Sequence, residues 1–208
     1  MMYATLGTCP DIAFAVSFLS QFMQNPGRLH WEAIKSVFCY LKGTRNYVLK
    51  IGRKSQHGLH TDWASQQHHH SMSRYIFMVD GGTVSWSSKK QPIVALSTTK
   101  AEYIAATHTA KEALWICMFI AEIAWPLQSP TILKCDNQSA ICIAKNDQYH
   151  SCTKHIDIQF YFIWDATWSR GISLEYCPTE HNMADLFTKA LLAPRLDHLV
   201  ALMGLRAA

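Results

Sequence analysis

The segment from Ser97 to Trp125 limits the architecture more than any other part of the chain. Its pattern is helical, and its second half, Ala113-Leu114-Trp115-Ile116-Cys117-Met118-Phe119-Ile120, is apolar on every face, as expected of a helix covered on most sides. It predicts the central helix of a layered domain. Upstream, the runs Tyr47 to Ile51, Leu59 to Ala64, Tyr75 to Val79 and Thr83 to Trp86 have strand character and suggest an antiparallel meander. The last two are joined across Asp80-Gly81-Gly82, which can supply the positive φ of a hairpin turn. Downstream come a strand Thr131 to Cys135, a helix from near Asn137, a helix from about Lys154 to Trp168, and a strand Ile172 to Tyr176 with Ile172, Leu174 and Tyr176 on one face. Hairpin strands followed by helix, strand, helix, strand and helix predict an α/β fold, a mixed sheet flanked by helices with crossover connections.

Residues 1 to 52 read as a helical hairpin. Pro10-Asp11 suits a first helical turn, an apolar stretch runs to Met23, and Asn25-Pro26-Gly27 breaks it. The second helix carries Trp31, Ile34, Phe38 and Leu41 as one stripe and ends before Gly43-Thr44. With 208 residues, 49% of them apolar, the chain can bury the core of one domain with an appendage, which argues against disorder. Seven cysteines without a C-x-x-C pair read as buried, reduced thiols. The longest early apolar run, Ile12 to Leu19, is too short to span a bilayer and lacks signal-peptide flanks, so the expectation is an intracellular chain with no membrane partner. A net charge of +4 is compatible with contact to a phosphate backbone without demanding it.

Three acids stand at expected element ends: Glu102 near the start of the long helix, Asp136 after the strand Thr131 to Cys135, and Asp185 in Cys177-Pro178-Thr179-Glu180-His181-Asn182-Met183-Ala184-Asp185. Taken singly each reads as a cap or surface residue, Asp136 in Asp-Asn-Gln-Ser-Ala above all. Together they fit the needs of phosphodiester hydrolysis. Two hard divalent ions about 3.5–4 Å apart activate water and neutralise the leaving oxygen, and magnesium asks only for a few convergent oxygen ligands.

Denser motifs surround these acids: Gly7-Thr8-Cys9-Pro10-Asp11-Ile12-Ala13-Phe14-Ala15-Val16, His30-Trp31, Tyr40-Leu41-Lys42-Gly43-Thr44, Ser85-Trp86-Ser87-Ser88-Lys89-Lys90-Gln91-Pro92, Ser97 to Tyr103, Cys135 to Ala140, Thr153-Lys154-His155-Ile156-Asp157-Ile158 and Ala184-Asp185. On them the chain resembles, over nearly its whole length, the C-terminal part of the Pol polyprotein of copia-type LTR retrotransposons, the end of the reverse transcriptase followed by its ribonuclease H domain. The resemblance implies a ribonuclease H-like mixed five-stranded sheet at about 53 to 190, after a reverse-transcriptase connection remnant at 1 to 52 and before a terminal helix or tail at 191 to 208. It also implies two magnesium or manganese ions and an RNA–DNA hybrid as substrate. The implied partners are the polymerase fingers and palm of the same polyprotein, absent here, in a cytoplasmic particle or the nucleus. Glu102, Asp136 and Asp185 map to three of the family's four acids.

The fourth departs. The family shows a pattern such as Ser-Asp-Ala-Asp-Trp-Ala with the earlier aspartate catalytic, and aligning Asp62-Trp63-Ala64 on its end puts His60 in that place. Two positions along a strand move a carboxylate about 6–7 Å, which makes Asp62 a poor stand-in, and imidazole is a poor magnesium ligand. Impaired cleavage follows, with a non-catalytic remnant that binds nucleic acid or protein as the alternative. Arg74 replaces a usual glycine, Lys100 a usual acid and Cys9 a usual arginine. His181 stands where a histidine assists product release, Lys89 and Lys90 suit phosphate, and Trp63 and Asn137 lie where hybrid contacts are expected. The histidines at 57, 60 and 68 to 70 lack zinc-site spacing and read as a surface loop.

Overall fold

The computed structural model describes residues 1–52, 59–66, 72–91, 98–123, 129–145, 157–169, 171–178, 181–187 and 191–208, with the side chains of 59–66, 72, 98–100, 143 and 157–161 outside that set. Three helices open the chain, α1 (Met2–Gly7), α2 (Ala13–Ser20) and α3 (Arg28–Gly43), with a 3-10 turn at Pro10–Ile12. Strands β1 (Tyr47–Leu49), β2 (Leu59–Gln66), β3 (Met72–Val79) and β4 (Gly82–Lys90) follow. The long helix α4 (Thr98–Ile123) leads to β5 (Thr131–Cys135), α5 (Gln138–Lys145), α6 (Asp157–Trp168) and β6 (Ile172–Tyr176). A second 3-10 turn, Met183–Phe187, precedes α7 (Ala193–Leu202) and β7 (Leu205–Ala207).

The expected mixed sheet is present, five strands in the order β4-β3-β2-β5-β6. Antiparallel pairing joins β2, β3 and β4, while β5 runs parallel to both β2 and β6. The β3–β4 turn has the foreseen chemistry: Asp80 at φ 48° and Gly81 at φ 78° twist with the strands as a two-residue hairpin requires.

One expectation is corrected here. Tyr47–Leu49 is no part of the meander; it pairs antiparallel with Leu205–Ala207 in a separate two-stranded sheet. The reason is steric as well as topological. Gly82, at the start of β4, lies so close that a Cβ there would be 2.6 Å from Lys50 O, and Gly204, at φ +88°, is wedged against Gly81 O.

Two cores flank the sheet. On one face Phe77, Leu133, Ile172 and Leu174 meet Ala106, Ala110, Ala113 and Ile116 of α4 together with Ile163 of α6. On the other, Ile76 and Met78 meet Ala13, Leu186, Phe187, Leu199 and Met203. The alternation along β3, Ile76 one way and Phe77 the other, makes this double burial possible.

Helix α4 is less covered than its sequence suggests. Ala113 and Ile116 are buried, but Trp115, Met118, Phe119 and Ile123 are 56%, 65%, 47% and 66% exposed, so only one stripe faces the described core. Nor does the expected stripe of α3 hold, since Val37 is the buried residue, packed with Ile12 and Val16, while Trp31 and Phe38 face outward. Short α2 offers only a narrow surface to cover. The N-terminal helices dock on β4, where Trp86 Nε1 donates to Thr5 O (2.5 Å) and Ser17 Oγ to Ser88 O (3.2 Å).

Candidate active site

Glu102 is 7% exposed at the N-terminal end of α4, and Asp136 directly follows β5. Asp136 is not the cap of α5. That role belongs to Asn137, whose Oδ1 accepts the Ala140 N–H at 3.1 Å, while Asp136 lines the cleft. Ligand atoms of Glu102, Asp136 and the thiol of Cys135 all lie within 4.8 Å of one another. An open cleft of about 460 Å³, lined by Glu102, Asp136, Asn137, Gln138, Ser139 and Tyr176, gives this pair of carboxylates access to solvent. Burial, then the Glu102 carboxylate, pushes the Cys135 thiol up, so it stays protonated.

Asp185 arrives from the other layer. Asn182, fully buried, accepts the Ala184 N–H at Oδ1 (3.0 Å) and the Asp185 N–H at its carbonyl (3.2 Å), which winds the turn Met183–Phe187. Leu186 and Phe187 anchor that turn in the second core, and Asp185 is 4% exposed. Asp185 lies outside the group of three, and its Oδ2 receives a hydrogen bond from Arg195 Nη2 at 2.8 Å. Arg74 of β3 is 2% exposed, and its Nε and Nη1 have no hydrogen-bond partner among the described residues. Burial pulls the Arg74 guanidinium down to about 9, against the upward pull of Asp185 and then Glu102. Sequence reading marks Arg74 as a departure but gives it no place. It misses Arg195 altogether, although a basic side chain in a first helical turn, opposed to the helix dipole, is a hint of a paired acid.

The side chains of His60, Asp62 and Trp63 lie outside the described set, but their backbone register is informative. In the parallel pair His60 sits opposite Ile132, Asp62 opposite Lys134 and Trp63 opposite Cys135. Position 62 is therefore two residues short of the level of Asp136, roughly 7 Å, and position 60 four, roughly 13 Å. Of the two strand positions, residue 62 therefore lies nearer the level of Asp136. His57 and the His68 to His70 run fall outside the described residues. His181 is exposed, its N–H donating to Pro178 O at 2.9 Å.

Lys89 and Lys90 line a separate cleft of about 500 Å³ with Gln91, His108, Lys111 and Glu112. Burial, then Lys111 and Lys89, hold the His108 imidazole below its ordinary 6.5. Glu112, the acid of this wall, accepts from Ser85 Oγ at 3.1 Å.

Comparison with known proteins agrees along the whole length. The retrovirus-related Pol polyprotein of the tobacco (Nicotiana tabacum) transposon TNT 1-94 is 39% identical over 211 residues, covering 100% of this chain and 16% of that protein. The Pol polyprotein of the Arabidopsis thaliana transposon RE1 is 35% identical over 202 residues, 95% of this chain and 14% of that one. Over its whole length this chain is a homologue of copia-type transposon Pol polyproteins. As a Pol segment it spans about a sixth of the length of these relatives. Among solved structures, the LC11 ribonuclease H1 crystallised with an RNA/DNA hybrid aligns with a TM-score of 0.45 and 16% identity, over 61% of this Pol chain and 91% of that enzyme. No protein-family model matches the sequence.

Proposed function

We propose that this Pol segment hydrolyses the RNA strand of RNA–DNA hybrids, at a rate held down by the pairing of Asp185 with Arg195. The observation that carries the reading is the convergence of Glu102 and Asp136 beside the C-terminal end of β5. The donor set fits a hard cation in part. Two carboxylates are in place for magnesium or manganese, Asp185 is close but already paired with Arg195, and the protonated thiol of Cys135 is no ligand for either ion. When bound, such an ion supplies a nucleophile at neutral pH and neutralises the leaving oxygen.

The residues of the chain do the rest. Glu102 and Asp136 would hold the ion, with Asp62 and Asp185 as the acids that could complete the set. Gln138 and Ser139 on the cleft wall offer donors to phosphate oxygens next to the start of α5. Lys89, Lys90 and Lys111 receive the backbone of the hybrid further along α4, and exposed His181 is a proton carrier for product release. The polymerase fingers and palm of the same polyprotein are the natural neighbours of α1 to α3, where Leu29, Trp31 and Phe38 are exposed.

The test is manganese-dependent cleavage of an end-labelled hybrid by the purified chain and its Asp136→Asn, Asp62→Asn and His60→Asp variants. Cleavage of the RNA strand by the wild type, lost in Asp136→Asn and Asp62→Asn, supports the reading. Activity gained only in His60→Asp makes residue 60 the place of the first acid and the wild type a damaged site. A second reading, a non-catalytic remnant that still binds hybrid, is favoured by the Arg195–Asp185 ion pair, and binding without cleavage by any variant selects it.

A further inference from the structure

We infer that Cys135, Glu102 and Asp136 together form a site for a thiophilic divalent cation of the zinc class, held by one sulfur and two carboxylate oxygens. The hydrolase reading uses only the two carboxylates; the thiol adds a preference for a different ion, whether or not the chain cleaves hybrid. Cys135 Sγ and one oxygen from each of Glu102 and Asp136 lie within 4.8 Å of one another. A tetrahedral zinc with bonds of about 2.0–2.3 Å needs ligand atoms roughly 3.3–3.8 Å apart, so shifts of about 1 Å at the carboxylate ends close the three onto one ion. Cys135 ends β5, Asp136 follows it, and Glu102 comes from the N-terminal end of α4. Cys135 is 0% exposed, whereas both carboxylates line the open cleft. An ion therefore reaches the sulfur by way of the carboxylates and keeps a fourth position for water, as three-ligand zinc sites do.

The sulfur is also oriented as a ligand would be. Asn137 N–H donates to Cys135 Sγ at 3.2 Å while Asn137 Oδ1 caps α5, so the turn that presents Asp136 also fixes Sγ. Hydrogen bonds to a ligating atom set its direction in metal sites generally. A thiol that serves packing alone needs only the apolar neighbours that Cys135 has in the main core; the two carboxylates are additional. Magnesium and manganese take oxygen ligands and leave the thiol as it is. Zinc, cadmium and cobalt take the thiolate, the Sγ proton passing to solvent as the metal–sulfur bond forms. Zinc bound through Cys135 thus occupies the carboxylates that a magnesium ion would use, and the two ions compete.

The experiment titrates the full chain with zinc and manganese by calorimetry and with cobalt by absorption spectroscopy. The variants are Cys135→Ser, Asp136→Asn and, as a control, Cys142→Ser, whose thiol on α5 is exposed. A near-ultraviolet charge-transfer band from a cobalt–sulfur bond is expected in the wild type and in Cys142→Ser, and its loss in Cys135→Ser. Zinc affinity should fall at least about tenfold in Cys135→Ser, since even the outer partners of metal ligands are worth about 10–100-fold. Manganese affinity should change by less than about twofold in the same variant, because oxygen ligands hold that ion. Asp136→Asn leaves the thiol in place and should weaken zinc and manganese alike, which keeps the test decisive should Cys135→Ser fail to fold.

Equal zinc affinity in wild type and folded Cys135→Ser, a wild-type cobalt spectrum without the sulfur band, or a band that survives Cys135→Ser overturns the inference. Manganese binding that Asp136→Asn abolishes then still upholds the hydrolase reading's metal site. Failure of all three ions to bind overturns both. Zinc held through Cys135 without hybrid cleavage in manganese supports the thiophilic site and counts against the hydrolase reading alone.

Discussion

At the scale of single residues, the chemistry of this chain turns on which charges face one another. The three acids are legible in the sequence because each sits in a distinctive string at an element end, and two of them meet as expected. Arg195 is only half legible: its place in a first helical turn hints at a paired acid, but nothing local says that the acid is Asp185, ten positions earlier. Replacing Arg195 by alanine releases Asp185 toward the cleft, and the half-saturating manganese concentration for hybrid cleavage should fall several-fold; an unchanged value would show that the ion pair does not compete with the metal. Position 62 illustrates the limit of alignment by motif alone. Counting back from Trp63-Ala64 assigns the place of the first acid to His60, whereas strand pairing, a tertiary fact, sets position 62 nearer the level of Asp136.

At the scale of elements, the parallel and antiparallel strands, the turn at Asp80-Gly81 and the core-facing stripe of α4 follow from periodicity and turn chemistry. What periodicity does not reveal is coverage. An all-apolar run reads as buried on all sides, yet Trp115 and Phe119 stack on each other at 5.5 Å on an exposed face. The β1–β7 pair was equally hidden, because contacts between residues about 160 apart leave no local pattern. Its tight approach makes a clear prediction: Gly204→Ala, at φ +88° with Gly81 O 2.9 Å from the new Cβ, should destabilise the chain by about 1 kcal/mol or more in urea unfolding. In the main core, Leu133→Ala removes a fully buried side chain between α4 and the sheet and should cost about 2–5 kcal/mol by the same measurement. A loss under about 1 kcal/mol at either site would mean that the packing described around it is wrong.

At the scale of the whole molecule, acids gather at one end of α4 and cations along its flank, which under the proposed function are a cutting end and a holding groove. His108 ties the groove to pH. Its folded pKa lies below 6.5, so it is neutral at pH 7, and a bound phosphate favours its charged form; hybrid affinity should therefore rise as pH falls through and below about 6.5, with proton uptake. His108→Ala should flatten that slope in a titration at fixed salt, and a slope of unchanged size would exclude the groove as a phosphate site. The most direct measurement is cleavage of a hybrid labelled separately on each strand, with manganese, by the wild type and by Asp136→Asn. The expected result is slow cutting confined to the RNA strand and abolished by the substitution. Equal cutting by both proteins, or cutting of the DNA strand, would contradict the site described here.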